Sequence, residues 1–155
     1  MSRPPWAAAL ACALIACSLG GCRKKGDAGL DKEVTTLGDT EVTAQLVEIP
    51  SEFPPNDLYD YVYILKYRVL RVHRGNVPTP EIFVGQYNPL KPRSSVQDDR
   101  SGKIGGHVER FRAGDVHRMA LIAPLDQQWM GGIVDKYFDQ KGIRYWAMWT
   151  NSGEE

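Results

Sequence analysis

Cysteine is scarce in this sequence and is confined to its beginning. The 155 residues contain three cysteines, Cys12, Cys17 and Cys22, so everything after residue 22 lacks the thiols for a disulfide or a redox pair. Many small exported domains depend on disulfides for their stability. A domain that follows Cys22 must instead be stabilised by packing.

Sequence signatures of common catalytic and metal sites are absent as well. The chain has no G-x-S-x-G elbow, no S-x-x-K motif and no phosphate-binding P-loop. Its three histidines, His73, His107 and His117, lack the short spacing of H-E-x-x-H and related metal motifs. We therefore predict a non-enzymatic protein without a metal or a cofactor. The alternative is an acid–base pair of His117 with Asp115, or with His73 brought beside it by strand pairing.

No stretch of the sequence is long enough for a membrane-spanning helix. The uncharged run over residues 6–21 is shorter than the roughly 20 apolar residues that a span requires, and it ends in small residues. Arg3 supplies a positive charge ahead of this run, which is the layout of a secretory signal peptide. We predict that residues 1–21 form a signal peptide that is removed.

The end of this segment resembles the bacterial lipoprotein signal. The residues that carry the resemblance are Leu19, Gly20, Gly21 and Cys22. In that family a diacylglycerol is attached to the cysteine sulfur and the chain is cut before it, so the resemblance implies a membrane anchor on Cys22. Each buried lipid methylene contributes about 0.8 kcal/mol to membrane binding, and two or more acyl chains anchor stably. The alternative is that Cys22 is incidental and lies near an ordinary cleavage site.

The residues after Cys22 predict a flexible tether. Residues 22–40 are polar, contain glycine and show no clear periodicity. In enteric bacteria, Asp after the lipoprotein cysteine favours retention in the inner membrane. Arg23 therefore resembles the outer-membrane class, which implies a lipid-anchored envelope protein that faces the periplasm from the outer membrane.

Alternating apolar and polar residues predict a single β domain over residues 41–155. The alternation slips after Val69, as it does at a β-bulge that bends a long strand. Ile133, Tyr137 and Phe138 are spaced to cover one face of a short helix within 131–142. The fold class that we predict is all-β with a minor helix, a small five-stranded OB-like barrel with a short helix before the last strand. The predicted strands span residues 41–49, 59–75, 81–87, 116–123 and 143–150.

Part of this domain resembles the netrin and tissue-inhibitor modules, which are secreted OB barrels. The similar segments are YILKYRVLRVHRG, IFVGQY and FRAGDVHRMAL, and the likeness covers about residues 41–123. None of the disulfides of those modules has a counterpart here. The resemblance therefore implies the fold and nothing about activity.

The charge distribution predicts a site for an anionic ligand. Residues 66–118 contain eleven Lys or Arg against five Asp or Glu, although the chain after residue 21 is nearly neutral. Strands 2 and 3 of an OB barrel commonly bind its ligand, and guanidinium groups grip carboxylates or phosphates. The residues predicted to bind the anion are Arg71, Arg74, Lys91 and Arg93. The alternative is that these side chains pair with acidic segments across the barrel or only keep the outer faces of strands soluble.

Aromatic residues in loops extend this prediction to carbohydrates, because sugar rings stack on exposed aromatic faces. Trp129 is the residue we expect to serve as a stacking platform. The alternative is that it closes an end of the barrel, as aromatic residues of small domains commonly do.

Three hypotheses for function follow from the sequence. The first is a non-enzymatic envelope lipoprotein that binds an anionic polysaccharide or a partner protein in envelope assembly. The second is a structural adaptor without a small ligand, and the third is a hydrolase or transferase that uses His117 and Asp115. A nearly neutral exported chain is a poor nucleic-acid binder, and we expect a monomer.

Overall fold

The computed structural model describes residues 31–55 and 58–155. The predicted signal peptide and Cys22 lie outside the described residues. One short helix, α1, precedes seven strands. Their bounds are α1 Lys32–Thr36, β1 Thr40–Glu48, β2 Tyr61–Arg74, β3 Glu81–Tyr87, β4 Gly105–Gly106, β5 Val116–Ile122, β6 Gly132–Val134 and β7 Arg144–Ser152.

Five of these strands close into a barrel, which confirms the predicted fold class. β1 pairs with β5, β5 with β7, β7 with β3, β3 with β2, and β2 returns to β1. All of these pairs are antiparallel except β3 with β7. Five strands in a closed Greek-key barrel are the architecture of the OB class. The two shortest strands are additions, since β4 pairs only with β7 and β6 only with β2.

The bend predicted within the second strand is present. β2 pairs with β3 near its start and with β1 along its second half. Opposite Thr43 and Ala44, the register of β2 passes from Arg71 to Val69, so Leu70 is an extra residue. An extra residue bends a strand and increases its twist. The bulge therefore lets one long strand contribute to two sides of the barrel.

Two separate hydrophobic clusters stabilise the domain, one on each side of β2. Tyr63, Leu65 and Tyr67 point into the barrel and belong to the inner core. Val62 and Ile64 point outward and are also completely buried. The outer core is completed by residues from the two long connections, 88–115 and 123–143. Burial on both faces explains why this part of β2 reads as an almost continuous apolar run.

The prediction of a helix within 131–142 is wrong. Residues Gly132–Val134 form β6 instead, in parallel pairing with Tyr61–Tyr63 of β2. The two glycines at 131 and 132 disfavour a helix, and pairing with β2 satisfies the backbone. Of the residues expected on one helix face, Tyr137 is buried, whereas Phe138 is 82% exposed. Their spacing therefore does not reflect a common face.

The folded domain includes residues that the sequence assigned to the tether. α1 lies against β5 and β7, and Val34 within it is completely buried. Asp31, ahead of this helix, accepts hydrogen bonds from the Trp149 and Asn151 side chains of β7. Residues 31–40 are therefore packed on the barrel, although the sequence predicted that the domain begins at residue 41. With five residues, α1 is too short to cross a membrane, and the described residues contain no other α-helix.

Candidate functional site

The basic residues predicted to form one site lie in different places. Arg71 is exposed on the outside of β2, opposite Thr43 of β1. Lys91 follows β3 and lies beside Tyr61, at the beginning of β2. Tyr61 and Arg71 are separated by roughly 30 Å along an extended strand, so Arg71 and Lys91 belong to different surfaces.

Arg93 is a buried structural residue, which corrects its prediction as a ligand-binding residue. It is 3% exposed, and its guanidinium donates to the backbone carbonyls of Tyr87, Asn88 and Lys91. The same group lies 5.2 Å from the centre of the Phe111 ring. Burial lowers the pKa of Arg93 to about 10, so the side chain stays charged at neutral pH. An external anion has no access to it.

Arg74 is also engaged within the domain. Its two terminal nitrogens donate to the carbonyls of Leu37 and Gly38 at distances of 2.6 and 2.7 Å. These two carbonyls lie just after α1, in the short segment that leads into β1. Arg74 therefore fixes the N-terminal segment to the barrel, which corrects its predicted role as an anion ligand.

Trp129 is packed in the outer core, so the prediction of an exposed stacking platform is corrected as well. It is 8% exposed, and its ring stacks on Trp146 with centroids 5.9 Å apart. The indole nitrogen donates to the carbonyl of Gly132. The physical reason is the long 123–143 connection, which covers the outer face of β2 and β3 where many OB barrels bind ligands.

A cleft at the beginning of β2 contains the one predicted basic residue that combines exposure with a concave setting. This cleft, here called the Lys91 cleft, has a volume of about 510 Å³. Its charged members are Lys91, Arg100 and Asp60, and its aromatic rim is Tyr59, which is 69% exposed. The remaining lining residues are Leu58, Tyr61, Asn88 and Leu90.

The turn that carries Lys91 is held rigidly. Asn88 adopts a left-handed backbone conformation with φ of 40°, and the Lys91 amide donates to its carbonyl. The three bonds from the Arg93 guanidinium hold the same turn from the inside. Asn88 is itself tied to β2, because its side-chain oxygen accepts the Tyr61 amide. Burial of Arg93 therefore positions Lys91 at the mouth of the cleft.

Arg100 projects from a second fixed turn. One oxygen of the Asp98 carboxylate accepts the backbone amides of Arg100 and Ser101, and the other accepts the Tyr87 hydroxyl. These bonds outweigh the opposing effect of burial and hold the pKa of Asp98 below its usual range. The side chain of Arg100 is 73% exposed and approaches Asp60 to only 4.0 Å. Such a loose exposed pair leaves the guanidinium available to an anion.

A second cleft adjoins the first. It has a volume of about 280 Å³ and is here called the Tyr63 cleft. Its tyrosines hold the loop that precedes β2, since the Tyr61 hydroxyl donates to the carbonyl of Pro54 and the Tyr63 hydroxyl contacts Ser51. The lining residues are Ser51, Glu52, Pro54, Pro55, Tyr59, Tyr61, Tyr63, Val134 and Lys136.

His107, His117 and Asp115 line one open cleft, but no hydrogen bond joins His117 to Asp115. His117 is 1% exposed inside the barrel, where its Nδ1 bonds to the Tyr67 hydroxyl rather than to Asp115. His73 bonds to Thr43 on the outer surface, and His107 pairs with Asp31. Within residues 31–55 and 58–155, no three His, Cys, Asp or Glu side chains are grouped so that they could hold a metal ion.

Comparisons with protein-family models, with curated proteins and with solved structures found no match. Tyr59 and Arg100 are the members of the Lys91 cleft that sequence reasoning missed. Tyr59 lies between the first and second strands, in a loop that OB barrels often use for binding, and this position could have identified it. Arg100 lies in the irregular 88–115 connection, and no sequence signal places it near β2.

Proposed function

We propose that this protein is a non-enzymatic, lipid-anchored component of the bacterial cell envelope that binds an anionic polysaccharide in the Lys91 cleft. The observation that carries the proposal is that two exposed cations, Lys91 and Arg100, line the same concave site as the exposed ring of Tyr59. Attachment to the outer membrane through Cys22 is part of the proposal and derives from the sequence motif.

The chemistry of the cleft suits an acidic sugar. A tyrosine ring can stack on the apolar C–H face of a pyranose, and this contact removes apolar surface of both partners from water. A guanidinium can grip a sugar carboxylate through two hydrogen bonds, while an ammonium acts as a flexible point charge. Because both cations project from fixed turns, little conformational order has to be gained on binding.

The positions of the histidines favour a binding role for the Lys91 cleft over a catalytic one. A general acid or base must come within hydrogen-bonding reach of the reacting group. His117, the proton carrier in the enzymatic hypothesis, lies inside the barrel and is bonded to Tyr67. Among residues 31–55 and 58–155, none that lines the Lys91 cleft is a histidine. A partner protein in envelope assembly remains the second candidate, since Leu58 and Leu90 add apolar surface to the same cleft.

Calorimetric titration of the full chain in detergent with an oligogalacturonate tests the proposal. Changing both Lys91 and Arg100 to Gln should remove most of the binding and most of its dependence on salt. The reason is that the Debye length falls from about 10 Å at 0.1 M salt to about 3 Å at 1 M. Tyr59→Ala should weaken binding about fivefold at every salt concentration, which corresponds to about 1 kcal/mol.

Two control variants make this test specific. Arg71→Gln removes an exposed cation elsewhere on β2, and Lys141→Gln removes one from the 123–143 connection. Both should leave the affinity for the oligosaccharide unchanged within about twofold. If the wild-type protein gives neither heat nor salt-sensitive retention on acidic polysaccharides, the ligand proposal is wrong and the adaptor hypothesis takes its place.

A further inference from the structure

The open cleft beside the start of β5 contains residues that the proposed function does not use. This cleft, here called the His117 cleft, has a volume of about 490 Å³. Its wall includes His117 and four charged side chains, which are Glu109, Arg110, Arg112 and Asp115. The Lys91 cleft is lined by other residues, so the two are separate sites.

His117 presents one unpaired ring nitrogen to this cleft. The residue is 1% exposed, and its Nδ1 lies 2.9 Å from the Tyr67 hydroxyl. Its Nε2 has no hydrogen-bond partner within residues 31–55 and 58–155. Nε2 is nevertheless not fully buried, because the fully buried side-chain nitrogens without a partner in these residues are the Nε atoms of Arg74 and Arg93. Nε2 is therefore the polar atom of the ring that reaches the cleft.

The Tyr67 hydroxyl determines which ring nitrogen carries the proton. Burial lowers the pKa of His117 to about 4, so the ring is neutral at pH 7 and has a single N–H group. Burial raises the pKa of Tyr67, which therefore keeps its proton, and the Gln86 side chain bonds to the same hydroxyl in the way that a donor does, by lowering that pKa. A buried hydroxyl proton requires an acceptor, and in the described residues Nδ1 of His117 provides it. The His117 proton is thus on Nε2, where an oxygen atom in the cleft can accept it.

The four charged side chains around this donor are not engaged with one another. Glu109, Arg110 and Arg112 are exposed and Asp115 is half-buried. Within the described part of the chain, no salt bridge or side-chain hydrogen bond engages any of the four. Their charges sum to zero, so a simple anion or cation gains little net attraction from the set. A molecule that carries both charges can pair each of them with its opposite.

The turn over residues 112–115 is ordered in the absence of a ligand. The Asp115 amide donates to the Arg112 carbonyl at 3.1 Å, and the Gly114 amide donates to the Leu46 carbonyl of β1 at 2.7 Å. The Leu46 amide donates in return to the Asp115 carbonyl. Because this backbone is already fixed, binding requires less ordering of the chain.

From this arrangement we infer that the His117 cleft binds a small zwitterion, a molecule with an ammonium group and a carboxylate or other oxyanion a few bonds apart. An oxygen of the anionic group accepts the Nε2 proton of His117 and pairs with Arg110 and Arg112. The ammonium group pairs with Asp115 and Glu109. A short peptide with free termini and the phosphoethanolamine headgroup of a lipid share this chemistry.

Nitrogen-15 spectra of the histidine rings, recorded on the full chain in detergent, test the inference. At pH 7 they should place the His117 proton on Nε2. Titration with the dipeptide alanylalanine should shift the His117 ring signals to saturation and leave those of His73 in place. N-acetyl-alanylalanine lacks the ammonium and alanylalanine amide lacks the carboxylate, so each should bind about fivefold more weakly than the dipeptide.

Substitutions connect this binding to the charged side chains. Changing both Arg110 and Arg112 to Gln should weaken alanylalanine by about fivefold, and Asp115→Asn should remove most of its advantage over the N-acetyl form. Arg71→Gln removes an exposed cation on β2 and is the matched control, which should change neither quantity.

Phosphoethanolamine distinguishes the two sources of the ligand. Tighter binding than alanylalanine identifies a lipid headgroup, weaker binding identifies a peptide, and either result supports a zwitterion site. Three results would overturn the inference: a His117 proton on Nδ1, no shift of the His117 signals by either zwitterion, or equal binding of alanylalanine and its two singly charged analogues. None of them would affect the proposed function of the Lys91 cleft.

Discussion

At the scale of single residues, the imidazole of His117 shows how the barrel interior changes the chemistry of a side chain. Its ring lies between Tyr67 and Phe111, with centroid distances of 5.7 and 5.5 Å. Burial lowers the pKa of His117 to about 4, and the nearby Asp115 carboxylate opposes this shift only in part. His117 is therefore neutral in the folded protein at every pH in the physiological range.

This residue should make stability depend on pH. The unfolded chain binds a proton at His117 below about pH 6.5, whereas the folded protein does not until about pH 4. The stabilisation is complete above about pH 6.5 and is lost as the pH falls from there to about 4, by a total on the order of 3 kcal/mol. Urea unfolding of the full chain at pH 7.5, 6 and 5, followed by tryptophan fluorescence, measures it.

His117→Gln should flatten this dependence, even though losing the ring lowers stability at every pH. His73→Gln, on the outer surface, should retain most of it. An unchanged slope between pH 7.5 and 5 in His117→Gln would contradict the assignment of the effect to this residue.

At the scale of elements, residues 31–38, ahead of β1, are attached to the barrel at two points. Asp31 accepts hydrogen bonds from the side chains of Trp149, Asn151 and His107. Arg74 donates hydrogen bonds to the two backbone carbonyls that follow α1. Burial alone would raise the pKa of Asp31, but the three donors outweigh it and hold that pKa below its usual range. The contribution of the carboxylate is therefore present above about pH 4 and is lost as the pH falls through the lowered value.

Removing this carboxylate should release α1 from the barrel. We expect Asp31→Ala to lower the free energy of unfolding by roughly 1 to 3 kcal/mol at pH 7, because buried donors on Trp149 and Asn151 lose their acceptor. Hydrogen exchange measured by mass spectrometry should show faster exchange in residues 31–40. Asp139→Ala, an exposed acid in another loop, should change neither quantity. Unaltered protection of residues 31–40 in Asp31→Ala would refute the fastening role.

The elements also show where sequence reasoning succeeds and where it does not. All five barrel strands lie within about two residues of their predicted bounds, and the bulge in β2 is where the alternation slips. These features depend on local patterning, which the sequence displays directly. The errors at Arg93 and Trp129 have another origin. Their burial depends on the 88–115 and 123–143 connections folding back over the barrel, and no periodicity encodes such long-range packing.

At the scale of the whole molecule, internal contacts engage five of the eleven basic residues between residues 66 and 118. Salt bridges join Lys66 to Glu81, Lys103 to Glu33 and Arg118 to Glu41, with closest distances of 3.0, 3.6 and 2.6 Å. Arg74 and Arg93 are bound to backbone carbonyls. Internal contacts therefore account for only part of the charge asymmetry predicted from the sequence, and exposed cations such as Arg71, Lys91 and Arg112 lie outside them.

Membrane attachment of the whole molecule should depend on one sulfur atom. Cys22→Ser should abolish incorporation of a palmitate analogue in metabolic labelling and leave an unprocessed or soluble protein, because the thioether to the lipid requires sulfur. Cys17→Ser, within the predicted signal peptide, should be labelled like the wild type. Persistent labelling of the Cys22→Ser protein would show that the cysteine is incidental.

If the protein is anchored through a lipid on Cys22, as we propose, the attachment of Asp31 to the barrel limits how far the domain can move from the membrane. Eight residues then lie between Cys22 and Asp31, and the nine residue-to-residue steps from Cys22 to Asp31 span at most about 30 Å. Such a short connection would give the domain an effective concentration in the millimolar range toward ligands on its own membrane surface, and almost none toward ligands beyond its reach. Even a cleft of weak intrinsic affinity would then stay occupied by polymers at that surface. Lengthening the connection between Cys22 and Asp31 would lower the effective concentration without changing the binding site.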